Sequence, residues 1–154
     1  MRNFAEELTY WYLRLNGFLL IDDFVLHRQD LESTQNADCD LLGIKLPNTY
    51  EFIGEYCHED WDFNNLFGEG RLDSTQKIVM VCEVKSGETT KNEDIKLGNK
   101  DRLQYCVNRL GCWTFQEVSD KLDLITQQPI TIYKSYQFAK ILVTNDNFKR
   151  EDFI

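Results

Sequence analysis

Val79-Met80-Val81-Cys82-Glu83-Val84-Lys85-Ser86-Gly87 reads as a buried β-strand that ends on two opposite charges two residues apart. Side chains alternate faces along a strand, so Glu83 and Lys85 project together while Cys82 and Val84 point the other way. A charge left desolvated and unpaired costs several kcal/mol, roughly, so this pair must meet each other, water, a metal ion or a phosphate. The apolar run from Ile78 onward marks the strand as central, buried on both faces apart from these two charges.

Forty-three residues upstream, Asp40 stands at the head of a second apolar run, Leu41-Leu42-Gly43-Ile44-Lys45-Leu46, after the polar stretch Ser33 to Cys39. If the two strands are neighbours in one sheet, Asp40 and Glu83 converge on a single Mg²⁺, the hard cation that prefers oxygen ligands and keeps waters that a phosphate oxygen can displace. Lys85 would then face the same phosphate. Residues 2–16 read as an amphipathic helix, with Phe4, Leu8, Trp11, Tyr12 and Leu15 at helical spacing and Asn16-Gly17 as its stop.

Taken together, Asp40, Glu83-Val84-Lys85 and the opening helix, with Ala5-Glu6-Glu7-Leu8 followed by Tyr12 to Phe18, resemble the PD-(D/E)xK nuclease superfamily. That superfamily includes many restriction endonucleases and archaeal Holliday-junction resolvases. The similarity covers the core elements from about residue 2 to 111, with the strand at 139–144. It implies a restriction-endonuclease-like α/β core, a mixed central sheet flanked by helices in the order αβββαβ. It implies a Mg²⁺-dependent deoxyribonuclease, with Mn²⁺ as a substitute. Asp40, Glu83 and the Val84 carbonyl would hold the metal, Lys85 would orient or activate the attacking water, and Glu6 would assist. The helical wheel does not choose between Glu6 and Glu7; the choice of Glu6 comes from the resemblance. Gln104, on a helix expected over 99–110, is the nearest match to a Gln that serves the site in related nucleases, although the Tyr that one family pattern wants four residues on is adjacent here, at 105.

Composition bounds the rest. A chain of 154 residues, 42% hydrophobic and 13% aromatic, suits one nuclease-like domain over 1–154. No run approaches the roughly 20 apolar residues that span a bilayer, and Glu6 and Glu7 sit where a signal peptide is apolar, so the chain reads as cytoplasmic, with no membrane partner. Five cysteines without a Cys-x-x-Cys pair read as free buried thiols. The neighbours Cys57-His58-Glu59-Asp60 cannot easily point at one ion, and neither His27 nor His58 has a partner visible in the sequence.

The net charge of −9 works against nucleic-acid binding, which depends on neutralising phosphates. Its distribution matters more. Residues 1–76 carry a net −10, residues 77–110 a net +2 and residues 111–154 a net −1, so the one basic third holds the Lys85 motif, followed by Lys91, Lys96, Lys100, Arg102 and Arg109. DNA binding is expected there, weak and salt-sensitive. Residues 48–76 combine seven acids and one base with Tyr50, Phe52, Tyr56, Trp61, Phe63 and Phe67, too aromatic for a disordered tail. They read as an inserted hairpin or lid between the second and third core strands.

The main alternative is a weakly active or inactive nuclease-fold module that acts by protein–protein binding through that acidic aromatic insertion. The bland readings are a same-face ion pair for Glu83 and Lys85, a turn or cap residue for Asp40, and solvated acids at a helix N-terminus for Glu6 and Glu7. Repair, recombination or defence would suit such a nuclease. A cut across both strands would imply a homodimer, though no interface is legible.

Overall fold

A computed structural model of the chain describes residues 3–26, 37–49, 51–53, 56–58, 63–68, 70–86, 95–144 and 150–154. The elements run α1 (Phe4–Leu15), β1 (Leu19–Leu26), β2 (Ala37–Lys45), β3 (Glu51–Ile53), β4 (Tyr56–His58), α2 (Phe63–Phe67), β5 (Lys77–Lys85), α3 (Lys100–Leu110), α4 (Phe115–Gln127), β6 (Ile130–Tyr133) and β7 (Tyr136–Thr144). A 3₁₀ turn at Lys96–Gly98 precedes α3. The fold is α/β, with five strands in the order β1-β2-β5-β7-β6. The sheet is mixed: β5 and β7 are parallel, from Lys77 opposite Tyr136 to Lys85 opposite Thr144, and the other pairs are antiparallel.

β5 lies between β2 and β7, which explains why Ile78 to Val84 is buried without interruption. A strand with neighbours on both edges and layers on both faces has no side left for water. One layer is built on Leu103, Cys106 and Val107 of α3 and Val118 and Ile125 of α4, packed with Leu42, Val79, Val81 and Phe138. The other sets Leu13 of α1 and Phe67 of α2 with Leu41, Ile78, Met80, Cys82 and Ile141.

Local sequence fixes the helix ends. Asn3 caps α1 by accepting from the amides of Ala5 and Glu6, both at 3.0 Å, and Glu6 returns the contact by accepting from the Asn3 amide at 3.0 Å. Gly17 follows the helix at φ +84°, a conformation that favours glycine, and a Cβ there would stand 2.8 Å from the Lys45 ammonium, which would have to shift. Asn99 caps α3, which Gly111 ends in the left-handed region. α4 starts at Phe115, where Thr114 and Glu117 form a capping box, and runs to Gln127.

Two expectations meet a more particular outcome. The 48–76 segment does form a hairpin, β3 with β4 in register Glu51 opposite His58, together with α2, whose Phe67 is fully buried 6.0 Å from Phe18. The side chains of Phe52, Tyr56, Trp61 and Phe63, along with Tyr50, His27, His58 and Lys91, lie outside those described. On α1 the apolar stripe faces outward: Phe4, Leu8, Trp11 and Leu15 are exposed, while Thr9 and Leu13 are the buried positions. Among the described residues, no helix is long and apolar enough to cross a membrane. Cys39, Cys82, Cys106 and Cys112 are free and buried. A hydrogen bond with Cys106 and then burial hold the Cys39 thiol well above its ordinary range, and burial raises that of Cys82.

Lys140, on β7, is fully buried. Its ammonium donates to the Thr126 carbonyl, lies 3.5 Å from Asp152 and stands over the Phe153 ring. Burial lowers its pKa to about 8, against the opposing pull of Asp152. Between pH 8 and the ordinary lysine value the unfolded chain binds the extra proton, so stability should rise with pH across that window. Urea melts at pH 7.5 and 10 should show this rise in the wild type, and Lys140→Met should remove it; an equal rise in the variant would contradict the assignment.

Candidate active site

Asp40 and Glu83 come together because β2 and β5 are antiparallel neighbours in one fixed register. The last paired residues are Leu41 and Cys82, and one further step of that register sets Asp40 opposite Glu83. Asp40 holds onto β5 through the neighbouring backbone: its Oδ2 accepts from the Val84 amide at 2.7 Å. Asp40 also sits where the β1–β2 ribbon turns over. Asp23 has φ +48° at the step between two paired runs, and Cys39 and Leu41, two apart on β2, pack into opposite layers. Such a local reversal of the pleat re-aims side chains, as a β-bulge does.

Glu83 is only 2% exposed, yet its carboxylate is well supplied with donors. Oε1 accepts from the Lys96 amide at 2.8 Å and meets the Lys85 ammonium at 2.8 Å; Oε2 accepts from the Leu97 amide at 2.8 Å. These contacts compensate the buried charge, and in return Glu83 anchors the 3₁₀ turn that leads into α3. Lys85 is 21% exposed, so its ammonium lies between the buried carboxylate and the surface. An ammonium has three donors, which leaves Lys85 the capacity to hold Glu83 and a second acceptor together.

The Asp40 carboxyl is raised above the usual carboxylate range, chiefly by burial. The Val84 amide opposes this; the charges of Glu83 and Glu6 raise it further, and Lys85 lowers it. Glu6 therefore lies within electrostatic reach of Asp40, and the helix explains why: Glu6 is three and seven residues from the buried Thr9 and Leu13. Glu7 lies on the outward stripe, where it accepts from the Trp11 indole at 2.6 Å. The fold thus distinguishes two acids that the sequence leaves equivalent.

Other expected residues are placed elsewhere. Gln104 lies on α3, but its amide donates to the Ser119 hydroxyl of α4 at 2.8 Å, a helix–helix contact. Lys100 is paired with Asp123, and the Arg109 guanidinium lies over the Phe24 ring at 5.9 Å. Among the described residues, no three or more His, Cys, Asp or Glu are grouped so as to hold a metal ion. The donors at hand are the Asp40 and Glu83 carboxylates with the Val84 carbonyl. Two carboxylates suit Mg²⁺, which is commonly held by one or two of them with waters and phosphate making up the rest. The partners that sequence reading missed are the Lys96 and Leu97 amides. Backbone donors leave no residue signature, and only the path of the chain brings them to Glu83.

A carboxyl with a raised pKa is one the fold destabilises when it is charged. At pH 7 the native state therefore bears the cost of an ionised Asp40, and that cost fades as pH falls and the native carboxyl takes up its proton. Asp40→Asn is accordingly expected to melt at or above the wild-type temperature at pH 7, with the gap narrowing towards pH 4.5. A variant that melts clearly below the wild type at pH 7 would contradict this reading. No family model, curated protein or solved structure matches the chain.

Proposed function

We propose that the protein is a metal-dependent endonuclease that hydrolyses phosphodiester bonds in DNA, built on a restriction-endonuclease-like core. The observation that carries this reading is the convergence of Asp40 and Glu83 at the ends of adjacent strands, with Lys85 held 2.8 Å from Glu83 and the charge of Glu6 reaching Asp40. The element order supports it: α1, β1, β2, β5, α3 and β7 give αβββαβ, with β3, β4 and α2 added between the second and third core strands and α4 and β6 after the second helix.

Asp40, Glu83 and the Val84 carbonyl would hold Mg²⁺, or Mn²⁺ in its place. When bound, the ion supplies a polarised phosphoryl oxygen and a water of lowered pKa. Asp40, half-buried, and Glu83, buried, repel one another, which favours a cation beside them, and the donors on Glu83 fix that carboxylate in orientation. Lys85 bridges Glu83 and the incoming phosphate or water, balancing the negative charge that develops on the phosphate. Glu6, already fixed by its bond to the Asn3 cap of α1, adds negative potential at Asp40. Gln104, committed to Ser119, is left without a role in the chemistry.

The net charge of −9 favours a second reading, a nuclease-fold module that binds protein rather than cutting DNA. One experiment separates them: incubate supercoiled plasmid and labelled single-stranded, duplex and branched DNA at low salt with Mg²⁺ or Mn²⁺, comparing wild type with Glu83→Gln. Metal-dependent cutting by the wild type alone is the expected result. No cutting of any substrate, with no metal binding by calorimetry, would overturn the nuclease reading.

A further inference from the structure

We propose that α1 is the interface of a homodimer, in which two copies of the helix pack antiparallel along Phe4, Leu8, Trp11 and Leu15. The inference stands apart from the nuclease reading. These four residues are 84%, 61%, 51% and 36% exposed, although α1 buries its opposite face in the core. Large apolar side chains lined up in water are costly, and a contiguous row of them marks a surface that is covered in use.

The spacing names the kind of cover. Steps of four, three and four residues average close to the 3.5-residue period of a helix-on-helix seam, with one residue per layer over about 18 Å of helix. Glu7 and Arg14 each immediately precede a stripe residue, so they lie on one flank of the seam, seven residues apart. An antiparallel pair that sets Leu8 against Trp11 of the second copy, and Phe4 against its Leu15, brings this flank against itself reversed. Glu7 of each copy then faces Arg14 of the other, twice over by symmetry. A parallel pair would set this charged flank against Ala5 and Tyr12, which offer no charge. The Trp11 indole, bonded to Glu7, keeps that carboxylate along the flank.

Beyond Tyr12 the apolar surface continues into a groove of about 310 Å³ lined by Leu8, Tyr12, Leu66, Ile141 and Val143. That extension matters, because stable interfaces bury about 1,200–2,000 Å² in total, more than two three-turn helices supply alone. The self-complementary stripe, the reciprocal charges and the adjoining groove together favour a second copy of this chain over a different partner. Association is therefore concentration-dependent and isologous.

Sedimentation equilibrium of the full chain from about 1 μM to about 1 mM tests this. The wild type should shift from monomer to dimer within that range, and Trp11→Glu should stay monomeric throughout. Glu7→Arg and Arg14→Glu should each weaken the dimer about tenfold by turning two attractions into repulsions, and combining them should restore it. Circular dichroism of each variant confirms that α1 remains folded. A wild type that stays monomeric, or a dimer that Trp11→Glu leaves intact, would overturn the proposal. A double reversal no tighter than either single one would overturn the antiparallel pairing.

Discussion

If the protein is the nuclease proposed, replacing Lys85 with alanine is expected to slow its metal-dependent cleavage by about 10²–10⁴-fold, the range that a positioned proton-transfer or charge-balancing group typically supplies. The variant should still fold. Lys85 leaves behind a Glu83 carboxylate that is 2% exposed, but the Lys96 and Leu97 amides continue to donate to it at 2.8 Å. The loss of the remaining partner should cost about 1–3 kcal/mol, a drop of roughly 2–12 °C in melting temperature for a chain of this size. Activity lost at a temperature where the variant remains folded therefore reports on chemistry. Lys85→Arg should keep the charge and most of the stability without restoring the rate, because a planar guanidinium does not place a donor where the compact ammonium does. Cleavage by Lys85→Ala at the wild-type rate, measured well below its melting temperature, would remove Lys85 from the mechanism.

The largest stability effect is expected at Phe138. It lies on β7, fully buried, with its ring 6.1 Å from Trp113 and the α3–α4 layer over it. Trp113 is itself fixed by an indole hydrogen bond to the Tyr133 carbonyl at 3.2 Å, so it is poorly placed to collapse into a vacated space. Phe138→Ala should therefore cost about 3–5 kcal/mol, near the upper end for a cavity in a rigid surround. That is a large share of the roughly 5–15 kcal/mol by which domains are stable. Thermal melts should place the variant about 6–20 °C below the wild type, with Phe138→Leu much closer to it. A Phe138→Ala variant within 2 °C of the wild type would show that this core repacks freely.

Much of the architecture follows from local signals in the chain. The uninterrupted apolar run from Ile78 to Cys82 gives a central strand, because charges and turns are absent until Glu83. Asn16-Gly17 and Gly111 end helices since their conformations suit those stops. The same signals make Asp40, Glu83 and Lys85 conspicuous, as charges at the ends of apolar strands demand a partner. Helix orientation is less legible. Periodicity finds a stripe on α1 without saying what lies opposite it, and here the core takes Thr9 and Leu13 and leaves Trp11 outside.

Sequence by itself therefore determined which segments become strands and helices, since propensity, capping and apolar period act within a few residues. It also singled out the acids and the lysine whose burial demands compensation. Tertiary structure alone decided the antiparallel register that sets Asp40 and Glu83 on adjacent strand ends, the two amides that hold Glu83, the placement of the Glu6 charge within reach of Asp40, and the commitment of Gln104 to Ser119. Each of these depends on groups far apart in the chain or on backbone atoms that every residue shares, and no local pattern of side chains encodes them.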